Sequence, residues 1–170
     1  MVLKKQGFTL IELLVVIAII GLLSTIAVVA LSSARNAAKI AKARGDIDQI
    51  YKAISLLEND TGVWPGHQQA GHLCTGGGCS DNEICEEANC PCKISDGCSG
   101  LTQNDGSDPY DGWNGPYMTN IPLDPWGHQY FFDTDYTHTT YGNSVMIGSY
   151  GPDGVGYNQY DTNDITKKIY

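Results

Sequence analysis

From Leu13 to Leu31 the chain reads LLVVIAIIGLLSTIAVVAL, without a single charge. No other segment limits the fold so strongly. Together with Phe8–Ile11 the stretch reaches the roughly 20 apolar residues that a bilayer-crossing helix needs. Ser24 and Thr25 do not disturb this, because their hydroxyls can return to helix carbonyls. Lys4 and Lys5 precede the run and, by the positive-inside rule, hold the N-terminus in the cytoplasm. A secretory signal peptide cleaved near Ala30 or Ala34 shares the basic start and the apolar run. This run is longer than a signal h-region, however, and no well-placed A-x-A follows it.

Glu12 distinguishes the segment from a plain anchor. An ionised carboxylate at the cytoplasmic end of an apolar run is costly, and residues of this kind are functional by default. The nearest lysines lie seven and eight residues upstream, at headgroup level. A cut between Gly7 and Phe8 would create an α-amino group four residues from Glu12 and so supply a cation. The run Lys4-Lys5-Gln6-Gly7-Phe8-Thr9-Leu10-Ile11-Glu12 resembles the prepilin cleavage and methylation motif of the type IV pilin and type II secretion pseudopilin superfamily. The resemblance implies that a prepilin peptidase removes residues 1–7 and that Phe8 becomes N-methylated. It also implies that Glu12 pairs with the Phe8 amine of a neighbouring subunit during assembly of a helical homopolymer. The partners implied are the inner-membrane assembly platform, minor pilins or pseudopilins, and membrane lipid before assembly. That family often kinks its membrane helix at proline; here no proline lies between Phe8 and Leu57, and Gly21 is the weaker candidate.

Beyond Leu31 the pattern turns amphipathic without a helix breaker. Ile40, Ile47, Ile50 or Tyr51, Ile54 and Leu57 recur at helical spacing, and Asp60-Thr61-Gly62 supplies a stop. The resulting division is a leader over 1–7, a lipid-embedded helix over 8–31, an amphipathic helix over 32–60, a Cys-rich loop over 61–108 and a β region over 109–170. The fold class expected is α+β, pilin-like, with one long N-terminal helix packed on a small antiparallel β region.

Cys74, Cys79, Cys85, Cys90, Cys92 and Cys98 crowd a stretch that holds few apolar residues, Leu73, Ile84 and Ile94 among them. Outside the cytoplasm they read as up to three disulfides. Fifteen pairings are possible, and only Cys90 with Cys92 is disfavoured by proximity. Zinc is the rival, with His67 and His72 beside Cys74 and Cys79, but no Cys-x2-Cys pair is present.

The C-terminal region gathers aromatic residues between turn signals, with strands expected over 128–133 and 143–149 as an antiparallel pair. Trp113-Asn114-Gly115-Pro116-Tyr117, Ile121 to Tyr130, Ile147 to Gly154 and Asn163-Asp164-Ile165 are similar to the major pseudopilins of type II secretion. In that family the last loop binds Ca²⁺, which implies a structural ion held by the Tyr150 carbonyl, Asp153, Asp161 and Asp164. Gly-rich turns and aspartates supply the hard oxygens such an ion takes. The sequence departs from the family at Pro152 and over 155–160, where the acidic Gly-Gly character is missing.

Charge completes the division of the chain. Residues 1–52 carry a formal +4 and residues 53–170 a formal −13. So acidic a second part excludes nucleic acid as its partner, since phosphate contacts need clustered Lys/Arg. No phosphate loop, Gly-x-Ser-x-Gly, HExxH or nucleophile–base pair appears, so the expected function is structural and not enzymatic. The reading is a single-pass inner-membrane prepilin that polymerises into an extracytoplasmic filament, either a secretion pseudopilus or a surface pilus. The alternative from another class is a monotopic anchored extracellular binding domain, which needs no cut at Gly7.

Overall fold

The computed structural model describes residues 7–71, 83–84, 92–156 and 161–170. They divide into two compact units, Met1–Ala38 and Lys39–Tyr170. One helix, α1 (Leu10–Thr61), belongs to the first unit at its start and to the second at its end.

Within the first unit every described residue is exposed. Phe8 is 79% and Leu10 88% accessible, and the apolar side chains from Ile11 to Leu31 follow suit. A surface this apolar and this bare is stable only in lipid or against other protein. Ser24 and Thr25 donate their hydroxyls to the carbonyls of Ile20 and Leu22, as expected for hydroxyls without water.

In the second unit α1 buries Ala43, Ile47, Ile50, Ala53, Ile54 and Leu57. The isoleucine stripe is the expected one, but Ile40 and Tyr51 are only partly covered and two alanines complete the face. Alanine lets a neighbouring chain approach closely, a role hydrophobicity alone does not flag. The helix ends at Thr61, where Gly62 takes φ +74° and donates its N–H to the Glu58 carbonyl, as the Asp-Thr-Gly stop predicts.

Two short strands, β1 (Val63–Trp64) and β2 (Gln68–Gln69), pair antiparallel around a tight turn. The main sheet is antiparallel in the order β3 (Glu83–Ile84), β4 (Phe131–His138), β5 (Gly142–Ser149), β6 (Ile165–Lys168). The expected pair of strands is β4 with β5, but β4 begins three residues later and runs five further than expected, through the polar Asp133-Thr134-Asp135. A register shift between Asp133 and Tyr136 accommodates that run, and the Asp133 carboxylate accepts the Asp135 N–H. Alternation is lost at such an irregularity, which hides the second half of the strand from a period-2 reading.

Adjacent Phe131 and Phe132 face opposite sides of the sheet. Phe132 joins Ile47, Ile50, Ile54, Leu57, Trp64 and Ile147 in the main core, and Phe131 packs with Tyr136, Met146 and Tyr150 in a second cluster. Ile84, Ile94 and Leu101 are 0–1% exposed, so the few apolar residues of the Cys-rich segment that are described all enter the core. Full burial of each such side chain stabilises by roughly 1.5–3 kcal/mol.

Candidate functional site

Three groups of residues carry the sequence expectations. The first is the N-terminal end. Gly7 and Phe8 are exposed, as a protease substrate must be, while Lys4 and Lys5 lie outside the described residues. Glu12 Oε2 accepts the Thr9 backbone N–H at 2.8 Å and the Thr9 hydroxyl at 2.6 Å. The Thr9 hydroxyl oxygen in turn accepts the Glu12 N–H at 3.3 Å. This is a reciprocal capping box, with Thr9 at the N-cap of α1 and Glu12 at N3. Glu12 is therefore not without a partner in the single chain, as its position in an apolar run implies. Thr-x-x-Glu before an apolar run is the sequence signature that reveals this. Phe8, Ile11, Glu12, Val15 and Val16 also line one shallow apolar surface, so the carboxylate sits among exposed hydrophobic side chains.

The second group surrounds the C-terminal loop. Tyr150 is 5% exposed, and its ring stacks on Phe131 with centroids 4.7 Å apart. Asp153 Oδ2 accepts from the Asn163 side-chain amide at 2.7 Å, and Asp161 Oδ1 accepts the Asn163 backbone N–H at 2.6 Å. Asp164 Oδ2 accepts the Tyr136 hydroxyl at 2.6 Å, while its Oδ1 is buried with no hydrogen-bond partner. Burial, reinforced by the nearby charges of Asp161 and Asp153, pushes the Asp164 carboxyl up to about 6. Burial, then the bond to Asp164, also raises the Tyr136 phenol.

A Ca²⁺ ion, as the resemblance implies, would suit these residues in chemistry. They are hard oxygens, their carboxylates repel one another, and one buried oxygen is bare. A cavity of about 210 Å³ opens beside Asp161 and Asp164, but Asp153 and Tyr150 do not line it. Among the described residues no three His, Cys, Asp or Glu side chains already stand at chelating separation, and residues 157–160 of the loop lie outside the description. Ion binding would therefore exchange some of the Asn163 and Tyr136 hydrogen bonds for ligation.

The third group is the cysteines. Cys92 and Cys98 form a disulfide with Cα atoms 5.9 Å apart. It closes a small loop around Ile94, whose carbonyl accepts the Ser99 hydroxyl at 2.8 Å. Cys74, Cys79, Cys85 and Cys90, with His72, lie outside the described residues.

Sequence reasoning missed the residue on which the C-terminal loop rests. Asp124, inside the Ile121 to Tyr130 motif, is 4% exposed. Its Oδ1 accepts the N–H groups of Trp126, Gly127 and His128, each at 2.9 Å, and its Oδ2 accepts the Ser149 hydroxyl. Ser149 Oγ accepts the Gly151 N–H at 3.0 Å. Asp124 thus ties its own turn to the chain on either side of Tyr150. The Trp113–Tyr117 motif similarly clasps the end of α1: Trp113 Nε1 donates to the Gly100 carbonyl at 2.7 Å, and the Tyr117 hydroxyl to Asp60 at 3.0 Å. Two of the motifs that carry the family likeness are therefore fastenings of the fold.

Comparison with known proteins matches the two ends of the chain to separate family models. Residues 3–28 match the family model described as the prokaryotic N-terminal methylation motif. Residues 87–168 match the model described as type II secretion system (T2SS), protein G. Type II secretion system core protein G of Pseudomonas aeruginosa is 27% identical over 160 residues, 93% of each chain. Among solved structures, the major pseudopilin from the type 2 secretion system of enterohaemorrhagic Escherichia coli superposes with a TM-score of 0.51 at 18% identity. That match covers 79% of this chain and 86% of the other.

Proposed function

We propose that this chain is a major-pseudopilin-like member of the type IV pilin and type II secretion pseudopilin superfamily, made as an inner-membrane prepilin that becomes the main subunit of a secretion pseudopilus. The observation that carries the reading is the bare apolar surface of the first unit with one carboxylate at its start. α1 is long and apolar enough to cross a membrane. Assembly then replaces lipid contacts by contacts between copies, with little change in the polarity of the surroundings.

Prepilin peptidase would cut between Gly7 and Phe8, leaving a mature chain that begins one residue before the capping Thr9. The new Phe8 amine carries a positive charge, and methylation retains it. Glu12 is oriented toward the N-terminal end of its own helix by Thr9. It can then take the Phe8 amine of a neighbouring copy as a charged partner, and a pair sequestered from water sets the register between subunits. The inner-membrane platform and minor pseudopilins are the further partners. Asp153, Asp161, Asp164 and the Tyr150 carbonyl would hold Ca²⁺, which neutralises the mutual repulsion of the carboxylates.

Mass spectrometry of the mature protein tests the processing step: a chain starting at N-methylated Phe8 supports the filament reading. An intact Met1 would support the anchored binding domain instead. Glu12→Ala is expected to insert into the membrane at normal levels and to form no filament. Normal filaments from that variant would overturn the register role.

A further inference from the structure

Where α1 enters the second unit it carries a belt of bases, and the Ile121 to Tyr130 motif closes on that belt. Exposed Lys39 holds its ammonium 5.6 Å from the centre of the Trp126 ring, within cation–π reach. Two turns on, Asp46 accepts from the Lys42 ammonium and, at 2.7 Å, from the Tyr130 hydroxyl. We propose that Lys39 and the turn at 123–127 form a docking surface for anionic phospholipid headgroups, which holds the second unit at the membrane surface before assembly. The proposal rests on the membrane-inserted reading of the first unit and adds a second contact with the same bilayer.

Chain length brings this surface to the right depth. The uncharged run from Leu13 to Leu31 is about 28 Å long as a helix and fills a hydrocarbon core of about 30 Å. Lys39 follows eight residues later, about 12 Å along the helix, and the headgroups occupy roughly the first 5–8 Å of that rise. Helical side chains tilt toward the helix N-terminus, which here is the bilayer side. The Lys39 stem therefore leans back across the remaining gap.

Charge selects an anionic ligand. Residues 53–170 as a whole would be repelled by such a surface, but salt confines the interaction to about 8–10 Å, so only the nearest groups count. Between 35 and 48, α1 sets Arg35, Lys39, Lys42 and Arg44 against Asp46 and Asp48. Both acids are already matched, Asp46 by Lys42 and Asp48 by Lys167 at 2.6 Å. Among the described residues Lys39 enters no ion pair, which leaves its charge for a lipid phosphate. Arg35, four residues before it, falls on the same helical face.

The apolar part of the surface is set in advance. Asp124 gathers the N–H groups of Trp126, Gly127 and His128, so the turn presents Trp126 and the 48% exposed Leu123 with little conformational freedom left to lose. An indole beside an ammonium is the combination that settles at headgroup level.

The test uses the full-length chain, one copy per lipid nanodisc, with a nitroxide quencher on the choline headgroup. The Trp126 signal is the part of the emission that Trp126→Phe removes. Discs of equal parts phosphatidylcholine and phosphatidylglycerol should quench that part at least twofold more than discs of phosphatidylcholine alone, and salt near 1 M, where screening acts within about 3 Å, should erase the difference. Lys39→Gln, on an exposed side chain, should lower the docked-to-free ratio about fivefold, the effect of one base near an anionic surface. Lys93→Gln should change nothing. Equal quenching in the two lipids, or an unaltered ratio in Lys39→Gln, would overturn the proposal. Quenching that appears only when several chains share a disc would assign the surface to a second copy and overturn it as well. A chain that enters the discs with Trp126 unquenched refutes the docking alone, whereas a chain that fails to enter them refutes the membrane-inserted reading and the docking with it.

Discussion

Replacing Asp124 by alanine removes the acceptor of three backbone N–H groups and the Ser149 hydroxyl at a position 4% exposed. Hydrogen bonds to a charged group contribute about 1.5–3 kcal/mol each, and a buried donor left without a partner costs about 1–3 kcal/mol. The terms do not add, because the three N–H groups share one oxygen and water can enter the vacated space. A loss of about 3–5 kcal/mol is expected, which lowers the melting temperature of a unit this size by about 10–18 °C. Asp124→Asn keeps an oxygen for the three N–H groups and loses the charge and the Ser149 acceptor, so it should cost only about 1–2 kcal/mol. Thermal unfolding of the full chain in detergent, followed by circular dichroism, ranks the variants. Hydrogen exchange at the Trp126, Gly127 and His128 amides reports the same bonds locally. An alanine variant within 1 kcal/mol of the parent, or an asparagine variant as damaged as the alanine one, would refute the reasoning.

Three further outcomes follow from the same geometry. Chelation of Ca²⁺ by EGTA should lower the melting temperature of the parent chain, and Asp153→Ala should remove that sensitivity; a parent insensitive to chelator would sink the calcium assignment. In EGTA, the raised Asp164 carboxyl makes the folded chain hold a proton that the unfolded chain releases, so stability should fall as pH rises from about 4 through about 6. Solvent screening at this half-buried group limits the fall to about 1 kcal/mol, and Asp164→Asn should flatten it. Gly112 has φ +77° and a Cβ there would lie 2.6 Å from the Asp60 carbonyl oxygen, whereas Gly142 at φ +67° meets nothing within 4 Å. Gly112→Ala should therefore destabilise by about 2–4 kcal/mol and Gly142→Ala by about 1 kcal/mol in urea unfolding, and equal losses would contradict the clash.

Elements with a local cause were legible before any coordinates. The apolar run, the isoleucine stripe of α1 and the Asp-Thr-Gly stop depend on periodicity and on residues within one or two turns of each other. The strand pair was legible only where alternation held; beyond Asp133 it broke at the register shift, and β4 continued unseen. The reciprocal bonds of Thr9 and Glu12 were also within reach, since three residues separate them.

The remaining decisions belong to distance in sequence. That Asp124 meets Ser149, that Tyr117 meets Asp60 and that His67 meets Asp105 follows from no local pattern, because each pair is joined by chain that could have run elsewhere. Pairing six cysteines has the same character, and the Cys92–Cys98 bridge emerges only with the core that positions Ile94 between them. The sequence by itself determined a helix long and apolar enough to cross a membrane, a methylation-type motif at its start and an acidic second half. Tertiary structure decided which of the many aspartates are buried fastenings, as Asp124 is, and which stay exposed, as Asp153 does, because only packing removes water from one carboxylate and leaves it on the next.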